Sequence, residues 1–315
     1  MLGNFLGKIL LFGMVSALVS CSPNSEPKLQ PETALEPPIT SEAELVITLG
    51  DVSKKPVKKI KRFQPMADYL AANLSQFGIK VGKVKIAQDL ITMSSWLESG
   101  EVDIYFDSPY PAMIVSEKSG AEPILSRWKD RQEEYFGVFL AMKEQGITSL
   151  SELQGKMIAF EEPISTSGYF LPLVLLMENG LNPVEKSSPD HSVAADEVGY
   201  IFSQDDENTI QWVISNRVAA GAADISTFME IPESSRESIT VLAETERVPR
   251  HLVLLRGGME PEKAEAIKNL LLEMDKTSQG KELLDQFEKT AKFEELPMQE
   301  DLERMQELYE LVKER

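Results

Sequence analysis

The chain has 315 residues, 42% hydrophobic and 26% charged, with 32 Lys+Arg against 51 Asp+Glu and a formal charge of −19. That composition folds into packed domains rather than remaining disordered, and its acid excess excludes a protein that works by neutralising nucleic-acid phosphates. A single Cys excludes an intramolecular disulfide, and two His, His191 and His251, are too few for Cys/His zinc sites.

The amino terminus reads MLGNFLGKILLFGMVSALVS, with Lys8 as its only charge and an apolar run from Ile9 to Val19. The run is too short to span a bilayer as a mature helix and fits the apolar region of a secretory leader. It ends in Leu18-Val19-Ser20-Cys21, which resembles a bacterial lipoprotein lipobox. The resemblance implies cleavage after residue 20, lipid on the Cys21 sulfur, acylation of the new amine and a membrane anchor. A buried structural Cys is the alternative, but the only Cys of the chain falls at this position. Residues 21–43 contain Pro23, Pro27, Pro31, Pro37 and Pro38 and little apolar periodicity, as expected of an extended tether.

The body of the chain alternates strand and helix patterns. Leu45–Leu49 predicts a strand, Lys54 to Arg62 a Lys-rich turn, Pro65–Phe77 a helix and Val81–Ala87 a strand. A helix over Leu90–Glu98, a strand over Val102–Phe106 and a helix over Tyr110–Lys118 follow, the two helices closed by Gly100 and Gly120. Strands are then expected at Phe136–Met142 and Lys156–Phe160, with a helical turn at Leu150–Leu153 between them. Beyond these come a helix over Ser165–Asn179, a strand over Gly199–Phe202, a helix over Asn208–Asn216 and a small-residue strand over Val218–Ile225. Leu252–Arg256 predicts a strand and Pro261–Met274 a helix. Leu302, Met305, Leu308 and Leu311–Val312 space out the apolar stripe of a packing helix over Gln299–Arg315.

This rhythm of βαβ units runs twice, broken by patternless stretches near Ser126–Tyr135 and Glu244–Arg250. It predicts an α/β fold of two lobes joined by two crossovers, residues 44–130 with 250–315 and residues 131–249. Ligands of such folds bind between the lobes, at strand carboxyl ends and helix amino termini.

The sharpest local pattern is Ala159 to Pro172, in which a strand ends, a proline turn follows, and Ser165-Thr166-Ser167-Gly168 opens a helix. The first amides of a helix lack intrahelical acceptors and carry partial positive charge. Three hydroxyls and a glycine beside them suit a tetrahedral oxyanion held without a Lys or Arg. The same residues also suit an ordinary N-cap.

The stretch GKMIAFEEPISTSGYFLPLVLLMENGLNP resembles the periplasmic phosphonate-, phosphite- and phosphate-binding proteins of ABC importers. FQPMADYL, SGEVDIYF, SEKSGAEPI and ITSLSELQGK resemble the same family in the same order. The resemblance implies a two-lobed periplasmic-binding-protein fold, type II-like, with oxyanion contacts at Ser165, Thr166 and Ser167 beside Gly168. It also brings Asp107, Ser108 and Tyr110 to the cleft, Ser108 at a second helix amino terminus. Many members carry a His where this chain has Asp206, and Asp224 falls on a further cleft position. Glu161, Asp206, Asp224 and Asp107 would then set several carboxylates beside the anion cup. A zwitterion bearing an amine suits such a cup better than a bare anion, unless Asp205 to Glu207 only furnish a solvated helix start.

The function expected is a substrate-binding lipoprotein of the cell envelope, monomeric, which closes on its oxyanion and hands it to a membrane permease. Such a protein needs no cofactor or metal and makes no use of nucleic acid. A receptor of the same fold, presenting its bound state to a membrane kinase, is the alternative. A hydrolase using Ser165 or Thr166 would need an activating base or metal for which no motif is present. Trp96, Trp128 and Trp212 are candidate reporters of closure, with Trp212 nearest the expected cleft.

Overall fold

The computed structural model describes residues 45–296 and 299–313; the leader, Cys21 and the tether lie outside the described residues. The chain lays down β1 (Leu45–Val52), α1 (Pro56–Asn73), β2 (Ile79–Ala87), α2 (Leu90–Glu98), β3 (Ile104–Asp107), α3 (Pro109–Ser119) and β4 (Glu122–Arg127). It crosses through β5 (Glu134–Tyr135) to β6 (Gly137–Met142), β7 (Met157–Phe160), α4 (Leu171–Glu178), β8 (Pro183–Glu185) and β9 (Val198–Phe202). There follow α5 (Asp206–Ile214), β10 (Ala220–Asp224), α6 (Ile225–Glu230), α7 (Glu233–Arg236) and β11 (Ile239–Glu244). The chain returns through β12 (Val248–Pro249) to β13 (His251–Leu255), α8 (Pro261–Leu272), α9 (Ser278–Gln286), β14 (Phe293–Glu295) and α10 (Gln299–Val312).

Two sheets result, ordered β14-β4-β13-β3-β1-β2 and β11-β6-β10-β7-β9-β8. Within each, the strands linked by helices run parallel, and the strands nearest the crossings run antiparallel. The crossings themselves pair as the antiparallel ribbon β5–β12, Val248 opposite Tyr135. This is the two-lobed α/β architecture expected. The strands are apolar runs because helices cover them: β7 (MIAF) and β13 (HLVLL) are buried throughout.

The Lys-rich segment is not a turn. It forms the first two turns of α1, with Pro56 at the helix start and Pro65 inside the helix. A leading proline suits a first turn because its φ is already helical, which is why the pattern alone pointed to Pro65. Strands β4 and β11 occupy ground read as patternless or passed over. Both run antiparallel beside the crossings with mixed polar sequence, so the βαβ rhythm does not announce them. Strand β8 and helices α6, α7 and α9 are short and were likewise not expected. Among the described residues no helix is long and apolar enough to cross a membrane.

The first lobe is centred on Phe63, Phe106, Phe287 and Phe293, with ring centroids as close as 4.6 and 5.1 Å. Arg127, at the end of β4, is wholly buried among them, its guanidinium 3.9 Å from the Phe287 ring. It donates to Thr290 Oγ1 and the Phe287 carbonyl, each at 2.9 Å, and pairs with Glu288 at 3.3 Å. Lys59 of α1 joins Glu288 to Asp51 at the end of β1, 2.8 Å to each. Burial opposes ionisation of Glu288, but the charges of Arg127 and Lys59 outweigh it and hold the carboxyl at about 2.

Glu288→Gln would leave Arg127 and Lys59 undercompensated, a loss of about 3 kcal/mol at neutral pH. A depressed folded-state pKa gives stability that is present above the unfolded value, roughly 4.3, and is lost as pH falls toward 2. Urea unfolding followed by circular dichroism should therefore show the gap between wild type and variant closing through that window.

Candidate functional site

Strand β7 ends at Phe160, and the chain loops back to a helix start at Ser165. The Ser165 hydroxyl accepts from the Gly168 amide at 2.9 Å, capping the turn. The first turn, Thr166–Phe170, is a π-turn in which the Phe170 amide donates to the Ser165 carbonyl at 2.9 Å. Two glycines permit this placement. A Cβ on Gly137 of β6 would stand 2.1 Å from the Ser167 carbonyl, and one on Gly168 would stand 2.6 Å from Glu161 Cβ. The turn therefore presses onto the sheet, where a longer side chain would hold it away.

The other lobe meets it head on. The Tyr110 amide, in the first turn of α3, donates to Thr166 Oγ1 at 3.0 Å. The Tyr110 ring stacks on Phe170 at 4.4 Å and 2°. At the rim, Lys54 pairs with Glu162 at 2.7 Å. Between the two helix starts lies a cavity of about 210 Å³, lined by Ser108 on one side and Ser165, Thr166 and Ser167 on the other.

The crossing ribbon supplies two further lining residues, Tyr135 and Arg250. Tyr135 stands on the cavity wall with Thr166 and Ser108, and burial pushes its phenol up to about 12. Arg250 lies 4.4 Å over the Tyr135 ring and 3.7 Å from Asp130; its Nε has no hydrogen-bond partner. Both residues sit on stretches without periodicity, so sequence pattern missed them. The available signal was position: in a two-lobed fold the crossovers floor the cleft, and a Tyr or Arg there faces the ligand space.

Four carboxylates complete the wall: Glu162, which pairs with Lys54, and Glu161, Asp206 and Asp224. Asp205 caps α5, accepting from the Asn208 amide at 2.6 Å, and Glu207 faces solvent. Asp206 instead turns inward, accepting from the Asp224 amide at 3.1 Å and the Thr227 hydroxyl at 3.4 Å. Asp224 caps α6 through the Ser226 amide at 2.7 Å and accepts from the Ser167 hydroxyl at 3.3 Å. Burial, reinforced by the charges of Glu161 and Asp224, raises Asp206 to about 8. Burial, with Glu162 and Asp224 adding to it, raises Glu161 to about 6.

The remaining expected residues lie close by without lining the cavity. Asp107 is half-buried and taken up by the Tyr105 hydroxyl and the Ser108 amide. Tyr110 is spent on Phe170, and the Gly168 amide on Ser165. None of the three tryptophans lines the cavity; each carries a cation over its ring, Lys85 on Trp96, Lys292 on Trp128 and Arg217 on Trp212. Among the described residues no group of His, Cys, Asp and Glu is arranged to hold a metal ion. The arrangement can receive a compact group that accepts hydrogen bonds from helix amides and a guanidinium and, on its other side, offers donors to carboxylates.

Residues 52–301 match the profile of a family described as ABC transporter, phosphonate, periplasmic substrate-binding protein. Among solved structures, the chain is similar to a Xanthomonas citri protein bound to chloride, with TM-score 0.79 and 27% identity over 85% of this chain and 98% of that one. The same protein bound to ATP gives 0.78 and 26%, over 85% and 97%. A Prochlorococcus marinus protein in complex with methylphosphonate shares the fold, with TM-score 0.62 and 18% identity over 86% and 99%.

The raised pKa of Asp206 has a measurable consequence. A group raised in the folded state contributes stability that is whole below its unfolded pKa, roughly 3.9, and is lost as pH climbs through the folded value. Asp206→Asn keeps an acceptor for the Asp224 amide and removes the ionisation. Its melting temperature should exceed that of the wild type at pH 9, and the difference should shrink as the pH is lowered toward 4.

Proposed function

The chain belongs to the periplasmic substrate-binding proteins of ABC phosphonate transporters, a family of receptors rather than enzymes, and from that premise we propose that it captures a small oxyanion of the phosphonate class. The oxyanion sits between the Ser108 and Thr166 helix starts. The observation that carries this reading is the convergence of two helix amino termini, one from each lobe, with Tyr135 and Arg250 on a single cavity. Helix amides carry partial positive charge and are pre-oriented, so they bind an anion without the reorganisation that a flexible lysine requires. The hydroxyls of Ser165, Thr166 and Ser167 fix the amides and line the cup.

The carboxylates narrow the ligand further. Glu161, Asp206 and Asp224 stand on the same cavity with Arg250 as the cation on its wall. A bare dianion would have to displace their charge or bring protons with it. A ligand with an ammonium group on a short arm satisfies both ends, which favours an aminoalkylphosphonate. The small volume supports a compact ligand, since drug-sized ligands occupy roughly 300–1,000 Å³. Closure of the lobes excludes water and strengthens each of these hydrogen bonds. The loaded protein is then recognised by a membrane permease, with Cys21 as the lipid anchor that keeps the receptor beside it.

Calorimetry on residues 22–315 with phosphate, phosphite, methylphosphonate, aminoethylphosphonate, sulfate and ATP tests this. Aminoethylphosphonate should bind more tightly than methylphosphonate. Thr166→Ala and Arg250→Ala should each weaken binding about tenfold, the equivalent of about 1.4 kcal/mol. Asp206→Asn should weaken only the amine-bearing ligand; equal losses for both ligands would remove the ammonium subsite, and silence across the panel would remove the oxyanion reading. For the anchor, Cys21→Ala should move the full-length protein from the membrane fraction to the soluble fraction of its host envelope; retention in the membrane would overturn lipidation at Cys21.

A further inference from the structure

Helix α10 begins at Gln299, whereas the segment matched by the family profile stops at residue 301. Almost the whole helix lies beyond that matched segment, and it lies against both lobes. On the second lobe its Met305, Leu308, Tyr309 and Val312 join the buried cluster that contains Leu171 and Val174 of α4. Arg304 reinforces that side, 2.7 Å from Glu178 of α4 and 3.0 Å from Glu246. On the first lobe the Tyr309 hydroxyl donates to Glu117 of α3 at 2.5 Å, and Lys313 pairs with the same carboxylate at 3.1 Å. The Tyr309 ring is also 6.2 Å from that of Tyr110.

α10 packs against α3 as well as α4. Between α10 and the first lobe lies a cavity of about 300 Å³, walled by Met113 and Ser116 of α3, Leu252 and Leu254 of β13, and Leu302 and Met305 of α10. α10 is held to the first lobe by Tyr110, Met113 and Ile114 of α3, which share its apolar cluster, and by the polar contacts to Glu117. The polar contacts can be removed by substitution without touching the apolar face on α4.

Tyr110 connects this helix to the ligand space. Its amide donates to Thr166 and its ring stacks on Phe170, so it joins the lobes at the mouth of the cavity. Separating the lobes pulls Tyr110 from Phe170 and also strains or breaks its contact with Tyr309.

We propose that α10 is an interlobe latch: it packs on both lobes, and Tyr309 is a positioning residue whose hold on Glu117 and Tyr110 raises the fraction of molecules with the two helix starts facing each other. Affinity then depends on that fraction, because an observed dissociation constant is the intrinsic one divided by the competent population. The affinity part of this inference rests on the proposed ligand site; the shape part does not.

The test uses the mature chain with Tyr309→Ala, Tyr309→Phe and Glu117→Gln. X-ray scattering of the ligand-free proteins reads the lobe arrangement, and aminoethylphosphonate titration with stopped-flow dissociation reads the site. Tyr309→Ala should enlarge the radius of gyration, weaken binding about tenfold and speed dissociation. Tyr309→Phe keeps the ring against Tyr110 and should recover most of the affinity, with Glu117→Gln between the two. A folded Tyr309→Ala protein with wild-type scattering and affinity would overturn the latch. Should that variant fail to fold, Tyr309→Phe combined with Lys313→Ala strips both contacts to Glu117, and wild-type scattering from it would overturn the latch equally. If no protein binds the probe, the scattering alone decides, so failure of the oxyanion reading remains distinct from failure of the latch.

Discussion

The hydrogen bond from the Tyr110 amide to the Thr166 hydroxyl sets the terms for the rest of the molecule. It ties the first turn of a helix in one lobe to the first turn of a helix in the other, so two positive dipole ends, each equivalent to about half a charge, point into one space. Such ends repel unless acceptors stand between them. Thr166 Oγ1 takes part of that place, and the carboxylates on the cavity wall stand against the remainder, with Arg250 as a further cation for them to offset. The carboxylates are therefore compensation for the helix geometry as much as they are recognition groups.

The frame that holds this geometry is built from the ends of strands. Asp51 closes β1, Arg127 closes β4, and His251 opposite Arg127 opens β13, next to Arg250 on the crossing ribbon. Lys59 and Glu288 lock the first two together under the phenylalanine cluster. Burial, with Lys129, Arg127, Arg250 and Lys59 around it, drives His251 well below its ordinary range, so it remains a neutral strand residue. The charge that reaches the ligand space from this side is thus that of Arg250, held over Tyr135 by packing.

The repeated βαβ rhythm and the Ser165–Gly168 helix start were legible because their causes are local: periodicity of apolar residues, glycine, and hydroxyls at a helix amino terminus. Tyr135 and Arg250 were not, because a crossover has no periodicity and acquires meaning only once both sheets are placed. The α1 boundary failed for a related reason. Six basic residues in a row of nine look like solvated turn, yet Lys59 is drawn inward by Asp51 on the preceding strand and by Glu288, far away in sequence. On α10 the pattern listed Leu311 with the apolar stripe, whereas the helix buries Tyr309 and Val312 and leaves Leu311 47% exposed. A period of 3.6 selects positions 305, 308, 309 and 312 and rotates 311 toward water.

Closure and charge are linked by the same residues. Asp206 and Glu161 are raised by burial first and by each other's neighbours second. Both causes grow when the lobes meet and fade when water enters between them. If the cavity takes the proposed ligand, closing around a bare oxyanion near neutral pH draws protons onto the acidic wall, whereas closing around a ligand that carries its own ammonium does not. On the proposed reading, an amine-bearing ligand brings the charge that the closed cavity lacks. A latch that favours closure sharpens that preference, since it holds the carboxylates in the surroundings where an uncompensated charge costs most.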